Sequence, residues 1–156
     1  MNYAIPILLM ILTICVFLCI ARGSYADFGI FQTILRVIAA LPLLVSGVFL
    51  HFFRAATTAS MIPPIFPAPL LLAVITGVFE IAGAIGLFVP RFRRAAALSI
   101  AIMMVAVLPA NIYVAGRTVG GLPMPGVAVR SAMQFIYIVL VLLAGYGMPG
   151  GTQPKK

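Results

Sequence analysis

Long apolar runs, separated by short stretches rich in proline and glycine, dominate the pattern of hydrophobic and polar positions along the chain. Five such runs lie at residues 4–21, 32–53, 68–89, 95–115 and 131–147. Each is close in length to the roughly 20 apolar residues that an α-helix needs to cross a bilayer. Because the runs are continuous and do not alternate in short pieces, they exclude a membrane β-barrel. The pattern predicts an all-α, polytopic bundle of five transmembrane helices.

The composition supports a chain that folds in lipid. Of its 156 residues, 64% are hydrophobic and 8% are charged, whereas soluble globular domains have roughly 45–50% apolar and about 25% charged residues. The longest connection between the runs, residues 116–130, has 15 residues, which is too short for a soluble catalytic or nucleic-acid-binding domain. The sequence therefore predicts the lipid bilayer as a partner and excludes a soluble globular protein.

The formal net charge of +8 comes from ten basic residues and two acidic ones, Asp27 and Glu80. In a soluble protein this balance would suggest nucleic acid as a partner. Here most basic residues lie at the ends of apolar runs, where they indicate which end faces the cytoplasm. Arg91, Arg93 and Arg94 share one tight turn, which we therefore expect on the cytoplasmic side. No nucleic-acid partner is expected.

Alternation of the five helices puts Arg22 and the tail residues 155–156 on that same side, six basic residues in all. The opposite side receives three, which are Arg54, Arg117 and Arg130. This bias predicts a multi-pass protein with its N-terminus outside and its C-terminus in the cytoplasm.

The first run has an alternative interpretation as a secretory signal peptide, because residues 24–26 resemble a small-x-small cleavage site. Two features favour retention: no basic residue precedes Ile5, and Arg22 follows the apolar stretch. Cleavage before Asp27 would also leave four helices and place the arginine turn outside. We therefore expect residues 4–21 to remain as a transmembrane helix, and the intact mass of the mature protein distinguishes the two cases.

Turn residues between the runs divide the chain into three parts. Residues 1–31 form the N-terminal transmembrane helix and its loop, and residues 32–147 form a four-helix membrane domain. Residues 148–156, which are rich in glycine and end in two lysines, are predicted as a flexible cytoplasmic tail.

The third run carries a face of small and polar residues at helical steps of three and four. It consists of Ala73, Thr76, Gly77, Glu80, Gly83, Ala84 and Leu87. Small residues let helix backbones approach closely in lipid, so this face is expected at the centre of the bundle. The glycines predicted to pack there are Gly47 of the second run with Gly77, Gly83 and Gly86. Pro42 and Pro109, inside the second and fourth runs, predict bends.

Glu80 is the only acidic residue within an apolar run, and it lies roughly 18 Å from the outer end of its helix at 1.5 Å per residue. A carboxylate at that depth costs about a few kcal/mol unless it is paired or protonated. Arg36 is the predicted partner in an intramembrane charge pair, which either fixes helix register or marks a proton or substrate route. Two alternatives stay open: Arg36 extends to the cytoplasmic headgroups, or a neutral Glu80 binds a helix carbonyl.

A second group of polar residues is expected in the outer half of the bundle, where it could line a shallow pocket over Glu80. It comprises His51, Asn111, Tyr113, Gln134 and Tyr137. Such side chains can hydrogen-bond the carbonyl oxygens of a quinone ring while its tail lies in lipid. Taken singly, Tyr113 is also typical of an interfacial anchor and His51 of a solvated helix end.

No catalytic constellation or cofactor motif is recognisable in the sequence. One histidine and one membrane-embedded glutamate cannot complete a metal coordination shell, and no Ser-His-Asp or Cys-His arrangement can be assembled. The sequence thus favours a protein that is not an enzyme, predicts no metal site and no catalytic residue, and leaves quinone as the candidate cofactor.

Three stretches, at residues 76–87, 89–97 and 108–113, read TGVFEIAGAIGL, VPRFRRAAA and LPANIY. Together they resemble the DoxX-like family of small bacterial membrane proteins. Further matches are Arg36, Ser46, Gly47 and His51 in the first helix of that family and Gln134 in its last helix. The resemblance covers about residues 32–147. It implies a four-helix bundle in the bacterial cytoplasmic membrane, to which this chain adds an N-terminal helix.

The resemblance also implies functions that differ among the members, of which the namesake is a subunit of an archaeal thiosulfate:quinone oxidoreductase. Other members are associated with redox homeostasis complexes or with membrane-protein assembly, and no catalytic residue can be carried over. We therefore expect an accessory, non-catalytic subunit of a quinone-linked membrane redox system, with a redox partner protein or a second copy of the chain. The alternatives are a membrane chaperone or structural interaction protein and, third, a small transporter or proton pathway.

Overall fold

The computed structural model describes residues 25–26 and 29–149 of the chain. The first predicted helix, residues 4–21, lies outside the described residues, and so does most of the predicted tail. The described chain is mostly helical. Its helices in chain order are α1 (Ile30–Val45, continued by a π-helix over Ser46–Phe53), α2 (Ala55–Ala59), α3 (Pro69–Gly86), α4 (Arg93–Ala106), α5 (Leu108–Val114) and α6 (Val127–Tyr146).

Three helical segments of the described chain are long and apolar enough to cross a membrane: Ile30–Phe53, Pro69–Gly86 and Val127–Tyr146. The fourth predicted span is broken, because α4 and α5 meet at an angle of 42°, although together they also meet the criteria of length and apolarity. The described part of the chain thus confirms the all-α class, with three to four helices suited to a multi-pass membrane protein.

Proline and glycine set the ends of several helices. Pro69 stands in the first turn of α3, where its missing N–H would be unpaired in any case. Gly29 precedes α1 with a φ of 60°, and Gly147 follows α6 with a φ of 100°, which are conformations that favour glycine. Residues 87–92 form a tight turn that contains Pro90, so α3 and α4 are antiparallel neighbours.

Two short β-ladders tie the connections together. The strands are β1 (Tyr25–Ala26), β2 (Thr118–Val119), β3 (Leu122–Pro123) and β4 (Met148–Pro149). β2 and β3 form an antiparallel hairpin between α5 and α6, and β1 pairs antiparallel with β4. The first two residues of the predicted tail therefore have defined secondary structure, because α6 ends beside the start of α1.

Polar residues are buried and large apolar residues are exposed, which is the reverse of a soluble protein. Arg36 and Glu80 are each 6% exposed, whereas Leu41 and Ile136 are 58% and 64% exposed. A surface of this kind requires lipid as its solvent. The core that it encloses consists of small and branched residues, which are Ala39, Ala40, Leu43, Ala84, Leu87, Ala97, Ile100, Val141 and Ala144.

The glycines of the predicted packing face lie against neighbouring helices. Gly83 and Gly86 contact α4, and a Cβ atom on Gly83 would lie 2.6 Å from Cγ1 of Ile100. Gly47 and Gly77 meet where α1 crosses α3, and a Cβ atom on Gly47 would lie 3.1 Å from the carbonyl oxygen of Gly77. Residues without a side chain permit this approach, so the Gly47–Gly77 crossing sets the register of α1 against α3.

The two prolines inside predicted helices have different consequences. Pro109 lies just after the break between α4 and α5. The helix is broken there because Pro109 has no N–H to donate to the carbonyl four residues earlier. Pro42 lies within α1, and the helix widens into its π-helical part four residues later, at Ser46. The structure therefore places a sharp bend at Pro109 and a change of helical period after Pro42.

Candidate functional site

Glu80 lies near the middle of α3 and is held by two side chains of α1. Ser46 Oγ donates a hydrogen bond to Glu80 Oε2 at 2.5 Å, and His51 Nε2 lies 3.6 Å from the same oxygen. On its other side, His51 Nδ1 lies 2.5 Å from the carbonyl oxygen of Ala73. Because a carbonyl can only accept, Nδ1 carries a proton.

The π-helix explains how Ser46 and His51 both reach Glu80. The two residues are five positions apart, and in an α-helix of 3.6 residues per turn they would diverge by about 140°. A π-helix bonds residues five apart and so brings them to one side. Sequence reasoning with an α-helical period missed Ser46 for this reason, and Pro42 is the signal that could have indicated the change.

The structure does not bring Arg36 to Glu80, and the predicted charge pair is corrected accordingly. Arg36 Nε donates to the carbonyl oxygen of Ala144 at 3.2 Å. Gln32 Nε2 donates to the same oxygen at 3.0 Å and to that of Leu143 at 2.5 Å. These carbonyls belong to the last turn of α6, where few backbone N–H groups remain to pair with them, and that of Leu143 also accepts the N–H of Gly147. Gln32 and Arg36 therefore cap α6, and the positive charge complements the negative end of its dipole.

The register of α1 is the physical reason for this difference. Gly47 packs on Gly77, so Ser46 and His51 lie at the level of Glu80. Arg36 is eleven residues before Gly47, which is about 16 Å along the helix at 1.5 Å per residue. Aligning the ends of the apolar runs had placed Arg36 and Glu80 closer, because the close approach of the two glycines cannot be read from run length.

A second wall of the site is formed by a directional chain of hydrogen bonds. Arg130 Nη2 donates to Asn111 Oδ1 at 2.5 Å, and Asn111 Nδ2 donates to Gln134 Oε1 at 2.8 Å. Gln134 Nε2 in turn donates to the carbonyl oxygen of Met104, in the last turn of α4 before the break. Among the described residues, the buried Nε of Arg130 has no hydrogen-bond partner. This nitrogen is covered by protein atoms, so the part of Arg130 that can face the cavity is its two Nη groups, of which Nη1 also contacts Met124 Sδ at 3.4 Å.

Arg130 was predicted only as a charge that indicates topology. In the structure it is part of the site. It lines the same cavity as Met133 and Tyr137, which lie three and seven positions after it on α6. The sequence contained a usable signal: Arg130, Gln134 and Tyr137 follow one another at helical steps of four and three.

The two predicted tyrosines have different positions. Tyr137 lines the site and donates a hydrogen bond to the carbonyl oxygen of Ala39, which ties α6 to α1. Tyr113 packs instead under the guanidinium of Arg117, whose Cζ lies 4.1 Å from the ring centroid. The structure therefore brings His51, Asn111, Gln134 and Tyr137 together around Glu80. It places Tyr113 in a cation–π contact elsewhere.

The arginines of the turn lie at the opposite end of the bundle. Arg93 Nε donates to the carbonyl oxygen of Leu87 at 3.3 Å, at the end of α3. The guanidinium carbons of Arg91 and Arg94 lie 5.8 Å from the ring centroids of Phe92 and Tyr146. They contribute no side chain to the cavities around Glu80.

Two cavities meet at Glu80. The inner cavity, of about 200 Å³, lies towards α2 and α5 and includes His51 in its lining. The lateral cavity, of about 440 Å³, lies between α1 and α6 and reaches the lipid-facing surface at Met133, which is 60% exposed. The residues that line both cavities are Glu80, Met104, Asn111 and Arg130.

Opposite charges therefore face the same space. Glu80 forms its ion pair with His51, and within the described residues it forms none with Arg130. A ligand between them would meet hydrogen-bond donors at Arg130 and Asn111 and an acceptor at Glu80. Such a site suits a small, uncharged headgroup that carries oxygen atoms on opposite sides.

One protein family matches the sequence, and it is described as a domain of unknown function (DUF8561), with residues 39–144 matched. This match covers more than half of the 156 residues. The chain belongs to this family. No curated protein and no solved structure matches the chain.

The DUF8561 region contains every residue that lines the two cavities, from Pro42 to Tyr137. Gln32 and Arg36, which cap α6, precede it. The cavities around Glu80 are thus part of the DUF8561 domain, and the cap at the other end of the bundle is completed from outside the matched range.

Proposed function

We propose that the protein is a non-catalytic, accessory subunit of a quinone-linked membrane redox system, and that its cavities bind the headgroup of a lipid-soluble quinone. The observation that carries this proposal is the placement of Glu80 and Arg130 in the walls of the same two buried cavities without an ion pair between them. A quinone ring has two carbonyl oxygens on opposite sides, so one can accept from Arg130 while the other faces Glu80.

The chemistry of the two walls fits both redox forms of such a ring. The oxidised carbonyl accepts a hydrogen bond, which the Nη groups of Arg130 and the amide of Asn111 can donate. The reduced ring carries hydroxyl groups, which can donate to a Glu80 carboxylate. Because Glu80 also accepts from Ser46, its position is fixed in either case.

The dimensions and surroundings of the site support the same ligand class. The lateral cavity, at about 440 Å³, falls within the range of roughly 300–1,000 Å³ that is usual for small-molecule sites. Since it reaches the lipid-facing surface at Met133, a ligand dissolved in the bilayer can enter without crossing water. The redox centre that exchanges electrons with the quinone would belong to a partner protein.

The proposal includes the orientation in a bacterial cytoplasmic membrane. Arg91, Arg93 and Arg94 would face the cytoplasm by the positive-inside rule, with the C-terminus on that side and the N-terminus outside. The cavities would then lie in the outer half of the membrane. The resemblance to the DoxX-like family, which motivates the redox context, remains a hypothesis beside the DUF8561 match.

The deciding experiment is equilibrium binding of a short-chain ubiquinone to the purified protein in detergent, followed by titration calorimetry. We expect saturable binding that falls at least tenfold in Arg130→Gln. Arg117→Gln is the matched control, because Arg117 contacts Tyr113 and lines neither cavity. Absence of saturable binding to the wild-type protein, or equal affinities for the two variants, would contradict the proposal.

A proton pathway is the second candidate, and the His51–Glu80 pair favours it because two titratable side chains lie 3.6 Å apart within helices that are suited to cross a membrane. Proton flux in proteoliposomes would then fall in Glu80→Gln. Flux that is unchanged by this substitution would exclude the pathway without affecting the quinone proposal.

A further inference from the structure

A third cavity adjoins the site and differs from it in chemistry. It is a groove of about 550 Å³ between α3 and the broken pair α4–α5. Its lining is almost entirely apolar and includes Ile75 and Phe79 of α3, and Ile102 and Met103 of α4. The 42° bend at Val107 turns α5 away from the line of α4, and the groove follows this bend.

The groove adjoins the inner cavity, since four residues line both: Ile62, Thr76, Val107 and Ala110. The only hydroxyl among these four is that of Thr76, and it donates to the carbonyl oxygen of Leu72 in its own helix at 2.8 Å. The boundary between the inner cavity and the groove is therefore apolar.

We infer that this apolar groove binds the hydrocarbon tail of the ligand whose headgroup lies at Glu80 and Arg130, so that the site takes an amphipathic lipid with one long chain, such as a polyprenyl quinone. The inference rests on the proposed function and adds to it a requirement for the tail. The lateral cavity offers the tail a second exit at Met133, but Ser46, Gln134 and Tyr137 place polar atoms in its otherwise mostly apolar lining. A hydrocarbon chain is better matched to the groove.

The direction of the groove makes a chain-length requirement measurable. Ala106 lies next to Val107, at the boundary with the inner cavity. Ser99 lies seven residues earlier in α4, which is about 10 Å from Ala106 at 1.5 Å per residue. A phenylalanine at Ala106 would close the groove near its entrance. One at Ser99 would shorten it at the far end.

The experiment compares quinone analogues with no tail, one isoprene unit and several units, bound to the same detergent-purified variants. We expect Ala106→Phe to weaken every tailed analogue at least fivefold and to leave the tailless one unchanged. Ser99→Phe should weaken only the analogues with several units. Ala128→Phe is the matched control, because Ala128 is exposed on α6 and lines none of the three cavities.

The outcomes separate this inference from the proposed function. If all analogues bind and neither Ala106→Phe nor Ser99→Phe changes the order of their affinities, the groove holds no tail and the inference is overturned. If Met133→Trp weakens the tailed analogues instead, the tail leaves through the lateral cavity, which also overturns it. If the tailless and tailed analogues both fail to bind the wild-type protein, the proposed function fails and the inference falls with it. Should Ala106→Phe not fold, Ser99→Phe still decides, since Ser99 is exposed.

Discussion

Gly77 lies directly against His51: a Cβ atom on Gly77 would be 2.3 Å from the Cβ atom of His51. Any side chain at position 77 would overlap His51. The imidazole can therefore lie beside Glu80 only because residue 77 is a glycine. The same crossing of α1 and α3 thus provides helix packing and holds the polar site.

Substitution of Gly77 by alanine should destabilise the protein, because the added methyl group must displace His51 or separate the helices. Overpacking of this kind costs about 1–3 kcal/mol. We expect a lower thermal midpoint in detergent and weaker quinone binding. Gly126→Ala is the matched control, since a Cβ atom there would meet nothing within 4 Å. Equal thermal midpoints for Gly77→Ala and Gly126→Ala would show that α1 and α3 pack less closely than in the structure.

The partner of Glu80 can be tested by two double-mutant cycles on stability. His51→Ala and Glu80→Gln should be coupled by about 1 kcal/mol or more, because the residues share one ion pair. Arg36→Ala and Glu80→Gln should be additive. Arg36 caps α6, and it lies about 16 Å along α1 from Gly47, which is at the level of Glu80. Coupling in the second cycle and additivity in the first would restore the pair predicted from the sequence.

The helices within residues 29–149 could be predicted from the sequence because a bilayer requires long apolar runs and self-satisfied backbones. Each apolar run in this range corresponds to a helix or to the broken pair α4–α5. Pro109 carried enough information to predict the bend, since proline removes a helical hydrogen bond. These features are local consequences of residue type.

The site was predicted in part, and the errors have physical causes. His51, Asn111, Gln134 and Tyr137 could be grouped because they share one end of their helices. Ser46 and Arg130 were not assigned to the site. Ser46 reaches Glu80 through a π-helix, which an α-helical period does not describe. Arg130 shares a helical period with Gln134, but its hydrogen bond to Asn111 is a contact between helices that the sequence does not contain.

Removal of the Arg36 side-chain charge should loosen the end of α6. Arg36→Met would leave the Ala144 carbonyl to Gln32 alone and remove a cation from the negative end of the helix. We expect a loss of about 1–2 kcal/mol, with faster amide hydrogen exchange confined to residues 141–147. Arg54→Met serves as the control, because Arg54 is exposed. Equal exchange at 141–147 in both variants would remove the capping role.

Pro109→Ala should weaken the binding of tailed ligands while changing the stability of the protein little. Pro109 stands in the first turn of α5, where its missing N–H costs little, and its stiffness in the unfolded chain contributes about 1 kcal/mol. Alanine supplies an N–H for the carbonyl four residues earlier, so α4 and α5 can approach one straight helix. We therefore expect the free energy of unfolding to change by no more than about 1 kcal/mol.

Straightening would also narrow the groove that follows the bend, so the affinity for an analogue with several isoprene units should fall at least threefold while that for the tailless analogue is kept. Pro123→Ala is the comparison, because Pro123 lies in β3 and lines none of the three cavities. Thermal midpoints and binding isotherms of the two variants provide the measurement. A folded Pro109→Ala protein that binds the tailed analogue as tightly as the wild type would show that the bend does not shape the ligand site.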